Sequence, residues 1–279
     1  MKPSSGDIPE LKGIDIYGES IPLNSYVGGD HIIYLDFKKR YDLDKRIEEA
    51  YKQGKYVLAE NLKLSKKKTG ILLADVAGHK LTDAALASML HQAFLVGVLY
   101  ELDNNGSVTT KLFENINTRF YMSSGISKYI TMIYGEIWES GIFKFISAAH
   151  PFPVVFSAKH KKLSKVCMEK VITFPPIGTM PSKDDIDCNI HKSPLGQKEG
   201  YVVNELKLIE KGDILLIFTD GFSEHQNDKQ ERYFDKCLEN TLSKNNHKSA
   251  KEIFEIIKDE MLSFSEPTDD ISYIIIKKI

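Results

Sequence analysis

The chain has 279 residues, 42% of them apolar and 27% charged, which allows one large domain or two small ones with a real core. A formal net charge of −2 excludes a global pull toward nucleic acid or anionic membrane, though not a local basic patch. Three widely spaced cysteines, Cys167, Cys188 and Cys237, exclude a zinc cluster and argue against a disulfide framework. The opening MKPSSGDIPELKG lacks an apolar signal core, and no stretch reads as long or apolar enough to span a bilayer, so a cytoplasmic protein without membrane insertion is expected.

Residues 1–13 are polar and read as a lead-in. Residues 14–37 read as two strands around a Gly-rich turn. Segment 38–69 differs in character, with eleven Lys and Arg against five Asp and Glu, a local net of +6. It reads as an exposed excursion with one helix over 43–60. Two roles are open to it: a solvated face, or a surface that steers an acidic protein. A buried strand follows at 70–76, then an Ala-rich helix over 81–99 and a second helix over 109–122 that Thr109 or Thr110 could cap. Residues 128–138 and 141–149 read as a hairpin, and 153–172 as two further β stretches.

Pro175, Pro176, Gly178 and Pro181 break the chain. Strands are expected over 201–209 and 213–219, separated by the turn Glu210 to Gly212. Residues 249–264 carry a capping box, Ser249 and Glu252, followed by an apolar face and a stop at Pro267. A last strand covers 271–277. Hairpins with few helices predict an α+β fold of antiparallel sheets covered by helices. One domain is expected over 14–279.

Four short segments place an aspartate beside these strands: VGGD ending at Asp30, ADVAGH with Asp75, FTDG with Asp220, and TDDIS with Asp269 and Asp270. Each alone is also ordinary turn chemistry. A carboxylate at the tip of a buried strand is costly unless its charge is compensated. Several tips together would suit a hard divalent cation bound by oxygen ligands. No P-loop, serine elbow or cysteine-nucleophile loop is present.

Taken in order with SAAHPFP around His150, these motifs resemble the SpoIIE-like branch of the PP2C-type metal-dependent serine/threonine phosphatases, over about residues 11–279. The resemblance implies a four-layer α-β-β-α sandwich. It implies two divalent cations, Mn²⁺ or Mg²⁺, held by Asp75, the Val76 carbonyl, Asp220 and Asp269. Asp30 would act near the metals or through bound water, with Gly29, His150 and Asp270 supporting the site. Asn117 matches a helix position read as packing or hydrogen bonding near the core. The implied reaction is attack on a phosphoester by a water shared between the metals. The implied substrate is a phosphorylated regulatory protein, of the STAS-type anti-anti-sigma class. Control by a further regulatory domain, or by a partner in trans, is expected.

Two residues depart from the family pattern. Lys80 and Ala149 stand where glycine is usual, and alanine at positive φ would cost about 1 kcal/mol. A catalytically silent binding module and a small-molecule phosphohydrolase are the alternative functions. The set Asp75, Asp220 and Asp269 argues against the former.

Overall fold

The computed structural model describes residues 5–23, 29–76, 81–123, 129–165, 171–188, 190 and 193–279. Val27 and Gly28 of the first motif, Ala77 to His79 of the second, Lys80 after it, and Cys167 lie outside these residues.

In chain order, β1 (Ile14–Ile21) and β2 (His31–Leu35) precede three helices, α1 (Phe37–Arg40), α2 (Leu43–Lys52) and α3 (Tyr56–Ser65). Then come β3 (Lys68–Val76), α4 (Leu81–Asn104), α5 (Thr110–Ser123), β4 (Ile130–Trp138), β5 (Ile142–Ala148), β6 (Val154–Ser157) and β7 (Lys162–Lys165). The chain ends with β8 (Asn204–Lys207), β9 (Ile214–Phe218), α6 (Asp220–Ser223), α7 (Tyr233–Lys236), α8 (Leu238–Asn245), α9 (Ala250–Phe264) and β10 (Ile271–Lys278).

The strands form two five-stranded antiparallel sheets, β2-β3-β4-β5-β8 and β1-β10-β9-β6-β7. Three apolar layers follow from strand alternation. On the first sheet, Leu72, Ala74, Met132 and Tyr134 meet Leu90, Phe94 and Val98 of α4 and Phe113 of α5. On the second, Leu216, Phe218 and Tyr273 meet Ile253, Phe254 and Ile257 of α9. Ile71, Leu73, Ile133, Leu215, Ile217 and Ile274 fill the space between the sheets. The order helix, sheet, sheet, helix is the expected four-layer α+β sandwich.

Local expectations fared unevenly. The capping box at Ser249 and Glu252 forms in full. The hairpin at Gly141 forms with φ of 86° there. Thr109 Oγ1 accepts from Lys111 N at the start of α5. By contrast, the single helix expected over 43–60 is two, because Gly54 adopts φ of 70° and turns α2 into α3. Their buried seam of Leu43, Ile47, Ala50, Ala59 and Leu62 joins the core under α4. The two strands on either side of Glu210–Gly212 belong to different sheets. Asp213 makes that crossing possible: its carboxylate accepts from Ile209 N, Glu210 N and Ala158 N. The short helices α7 and α8 were not foreseen.

The stretch Ala85–Asn104 of α4, with mean hydropathy 1.4, is long and apolar enough to cross a membrane. This corrects the expectation that no stretch would be. Its composition has a second physical reason here: Leu90, Phe94, Val98 and Leu102 are fully buried against the sheet and α5.

Candidate metal centre

The aspartate motifs fall at one end of the sandwich because of strand direction. Asp30 immediately precedes β2, Asp75 is near the end of β3, Asp220 opens α6 just after β9, and Asp269 and Asp270 lead into β10. Alternation puts Asp75 on the same face as Leu73, toward the space between the sheets, and Asp30 on the face of Ile32. Thr219, Asp270 and Ser272 fall on the matching face of the opposite sheet.

Hydrogen bonds tie these residues across the two sheets. Thr219 Oγ1 donates to Asp30 Oδ2 at 2.8 Å and accepts from Ser272 N at 3.1 Å. The Asp270 carboxylate accepts from Leu23 N at 2.7 Å and Gly29 N at 2.6 Å. Asp270 thus anchors the two described residues that bracket segment 24–28. Val76 N donates to Gly29 O at 3.4 Å, which joins the first two motifs through backbone. Gly221 lies flush on the Asp269–Asp270 peptide: a Cβ there would stand 2.0 Å from the Asp270 carbonyl oxygen. That contact packs the residue after Asp220 against the backbone at Asp269 and Asp270. Gly221 N donates to Asp220 Oδ1, and Asp270 N to Asp269 Oδ1.

The electrostatics follow from this placement. Asp30 is 2% exposed. Burial foremost, then the charges of Asp75 and Asp270, pushes its carboxyl well above the usual carboxylate range, against the hydrogen bonds from Ser272 and Thr219. His150 is buried too. Burial pushes its imidazole down to about 3, with the Phe218 carbonyl opposing, so it is neutral at physiological pH. Its Nδ1 lies 3.1 Å from Thr131 Oγ1, and Thr131 is the cross-strand partner of Asp75.

Among the described residues, no three Asp, Glu, His or Cys side chains stand close enough together to form a metal cage. What the fold brings together is narrower. Asp30 and Asp75 interact electrostatically, Gly221, next to Asp220, packs on the Asp269–Asp270 backbone, and Thr219 and Asp270 bond to the first motif at Asp30 and Gly29. The donor set is all oxygen, and both the burial of Asp30 and the neighbouring charges of Asp75 and Asp270 penalise an ionised carboxylate that a cation would offset. In chemistry it fits Mg²⁺ or Mn²⁺.

Three other residues complete the picture. Asn117 is fully buried and pins the Pro-rich loop: it accepts from Gly178 N at 3.0 Å and donates to Met180 O at 2.8 Å. Ala149 adopts φ of 51°, so the condition under which alanine is costly at this position is met. Thr219 escaped sequence reasoning, although its place one residue before Asp220 and the strand alternation were signals for it.

The model of the Stage II sporulation protein E (SpoIIE) family matches residues 65–278. No curated protein sequence matches the chain. Among solved structures, the RsbU and RsbW domains of Rv1364c from Mycobacterium tuberculosis superpose with TM-score 0.66 at 19% identity, over 97% of this chain and 61% of that one. The PP2C phosphatase domain with a regulatory-domain fragment of SpoIIE from Bacillus subtilis gives 0.64 at 13%, over 95% and 63%. RsbX in complex with magnesium gives 0.54 at 14%, over 96% of both chains. The chain therefore spans about three fifths of the length of the first two.

Proposed function

The chain belongs to the SpoIIE family, and from that premise we propose that it is a metal-dependent phosphatase acting on phosphoserine and phosphothreonine of a regulatory protein. The observation that carries this reading is the set of hydrogen bonds that ties three of the aspartate motifs together between the sheets, Thr219 to Asp30 and Ser272 and Gly29 to Asp270, around an Asp30 carboxyl raised by burial first and by the charges of Asp75 and Asp270 second. Asp75, the Val76 carbonyl, Asp220 and Asp269 would hold two divalent cations, Mn²⁺ or Mg²⁺. Bound there, such ions lower the pKa of water and offset phosphoryl charge. The magnesium complex of a fold neighbour supports the cation class.

The chain's own residues have separate tasks in this reading. The Thr219 hydroxyl fixes the rotation of the Asp30 carboxyl. Asp270 holds Gly29 in place. Neutral His150 orients the Thr131 hydroxyl beside Asp75. The substrate proposed from the family resemblance is an anti-anti-sigma protein of the STAS type. The regulator is a further domain or a partner in trans, in keeping with the greater length of two of the fold neighbours.

The test is phosphate release from a panel of phosphoserine and phosphothreonine proteins with Mn²⁺, Mg²⁺ or EDTA. Release that needs metal and is lost in Asp75→Asn supports the reading. Turnover of a small aryl phosphate alone would favour a small-molecule phosphohydrolase. Binding of phosphoproteins without turnover would favour a silent module.

A further inference from the structure

Asp30 and Gly29 lie just before strand β2, which among the described residues is a sheet edge with β3 as its strand neighbour and one further backbone bond, Tyr34 N to Ser5 O at 2.8 Å. Thr219, Asp270 and Val76 already hold Asp30 and Gly29 from the side facing the other motifs, and an attachment on the opposite face of β2 would complete the placement. His31, the first residue of β2, provides one. Alternation turns it away from Asp30, toward α4. Its Nε2 lies 2.9 Å from Nδ1 of His91 on that helix. The rings are buried, at 0% and 6% exposure, with centroids 5.1 Å apart.

Core packing alone does not account for this pair. Ala87, Leu90, Phe94 and Val98 on the same helix are buried and apolar, and an apolar residue would fill either histidine's place without the cost of burying a polar ring. In a neutral pair one ring donates and the other accepts, so the contact is directional. It fixes where β2 begins relative to α4.

We propose that His91 is a positioning residue, whose bond to His31 clamps the start of edge strand β2 to α4 and so sets Asp30 and Gly29 against Asp75. This deepens the phosphatase reading and rests on it.

The test compares His91→Leu, which removes the bond, with His91→Asn, which keeps a hydrogen-bonding atom near the Nδ1 position. For each, Mn²⁺ affinity is measured by calorimetry, melting in EDTA by circular dichroism, and kcat and KM with p-nitrophenyl phosphate. A supporting residue of a metal site is worth about 10–100-fold. The expected result for His91→Leu is a loss of about tenfold or more in both Mn²⁺ affinity and kcat, with KM and EDTA melting little changed. His91→Asn should recover most of the loss. Wild-type affinity and kcat in His91→Leu would overturn the proposal, as would a His91→Asn variant no better than the leucine one. If His91→Leu does not fold, His91→Phe keeps a ring without nitrogens and the same comparison decides. A wild-type protein that binds no Mn²⁺ would overturn the phosphatase reading instead. The clamp is then read from hydrogen exchange in EDTA: faster exchange at the amides of residues 30–33 in the variant supports it, and unchanged exchange there overturns it.

Discussion

The hydroxyl of Thr219 donates to Oδ2 of Asp30 across 2.8 Å, and with that bond the end of β9 in one sheet grips the start of β2 in the other. The same oxygen accepts from Ser272 N, so one side chain joins three of the aspartate motifs. Its importance lies in what it holds: a buried carboxyl under the influence of two further acids.

Asp30→Asn should therefore stabilise the metal-free protein at neutral and alkaline pH. A carboxyl whose folded pKa is raised above its unfolded value binds its proton more tightly when folded. Its contribution to stability is full below about pH 4 and is lost as pH rises through the folded value. Asparagine keeps an acceptor for Thr219 and carries no charge. Melting in EDTA should show the variant above wild type at pH 8, with the gap closing toward pH 4. Each kcal/mol corresponds to about 2–4 °C in a protein of this size. Equal melting at pH 8 would mean that Asp30 carries no electrostatic burden.

The basic segment behaves differently from its charge count. Strand β3 leaves it at Lys68 and reaches the carboxylates at Asp75, seven residues or about 23 Å further on. The segment thus sits at the other end of the sheet from the candidate centre. Lys66 and Asp44 form an exposed pair. Lys68 is buried, donates to Glu136 at 2.6 Å, and has the Trp138 ring 5.1 Å away. Lys68→Met should cost about 3 kcal/mol, because Glu136 is left a buried acid without its counter-charge, keeping only the bond from the Tyr134 hydroxyl at 3.0 Å. Adding Glu136→Met should recover much of the loss, read as midpoints in urea. Charge reversal at Lys66 and Lys67 should leave hydrolysis of an aryl phosphate unchanged.

These cases separate what the chain discloses in one dimension from what it does not. Asp75 and Asp220 could be picked out because each closes an apolar run, and such a pattern survives without knowledge of the fold. Helix α9 announced itself through Ser249 and Glu252, which lie within one turn. Lys68 read as surface because its partner, Glu136, is 68 residues away. His31 and His91 are 60 residues apart, and neither sits in a spacing that marks a metal site or a catalytic pair. The break between α2 and α3 turned on Gly54 alone, against a helical periodicity that runs on past it. Local chemistry wrote the strand ends and caps; partners joined by tertiary folding remained silent.

Ala149→Gly should stabilise the protein slightly. Ala149 holds φ of 51° at the turn after β5, where its amide donates to Thr173 Oγ1 at 3.2 Å. The left-handed conformation costs an L-residue about 1–2 kcal/mol, and glycine avoids that cost while adding some unfolded-state entropy. The net expectation is a gain of about 0.5–1 kcal/mol, or roughly 1–4 °C. A fall in melting temperature would mean that the methyl group makes a contact worth more than the strain.

His150 should make the fold sensitive to acid. Its folded pKa, pushed down to about 3 by burial, lies below the ordinary histidine value of 6.5. The unfolded chain thus takes up a proton that the folded chain refuses. The stability that this group contributes is full above pH 6.5 and is lost as pH falls toward the folded value. By pH 5 the loss is about 2 kcal/mol relative to pH 8, at 1.36 kcal/mol per pH unit. His150→Asn removes the titration and can keep a bond to Thr131. The variant should therefore lose less stability than wild type between pH 8 and pH 5, by about 2 kcal/mol, when urea midpoints are compared in EDTA. Parallel losses in the two proteins would show that the His150 ring is already reached by solvent or protonated in the native state, and would remove it as the neutral support of Thr131.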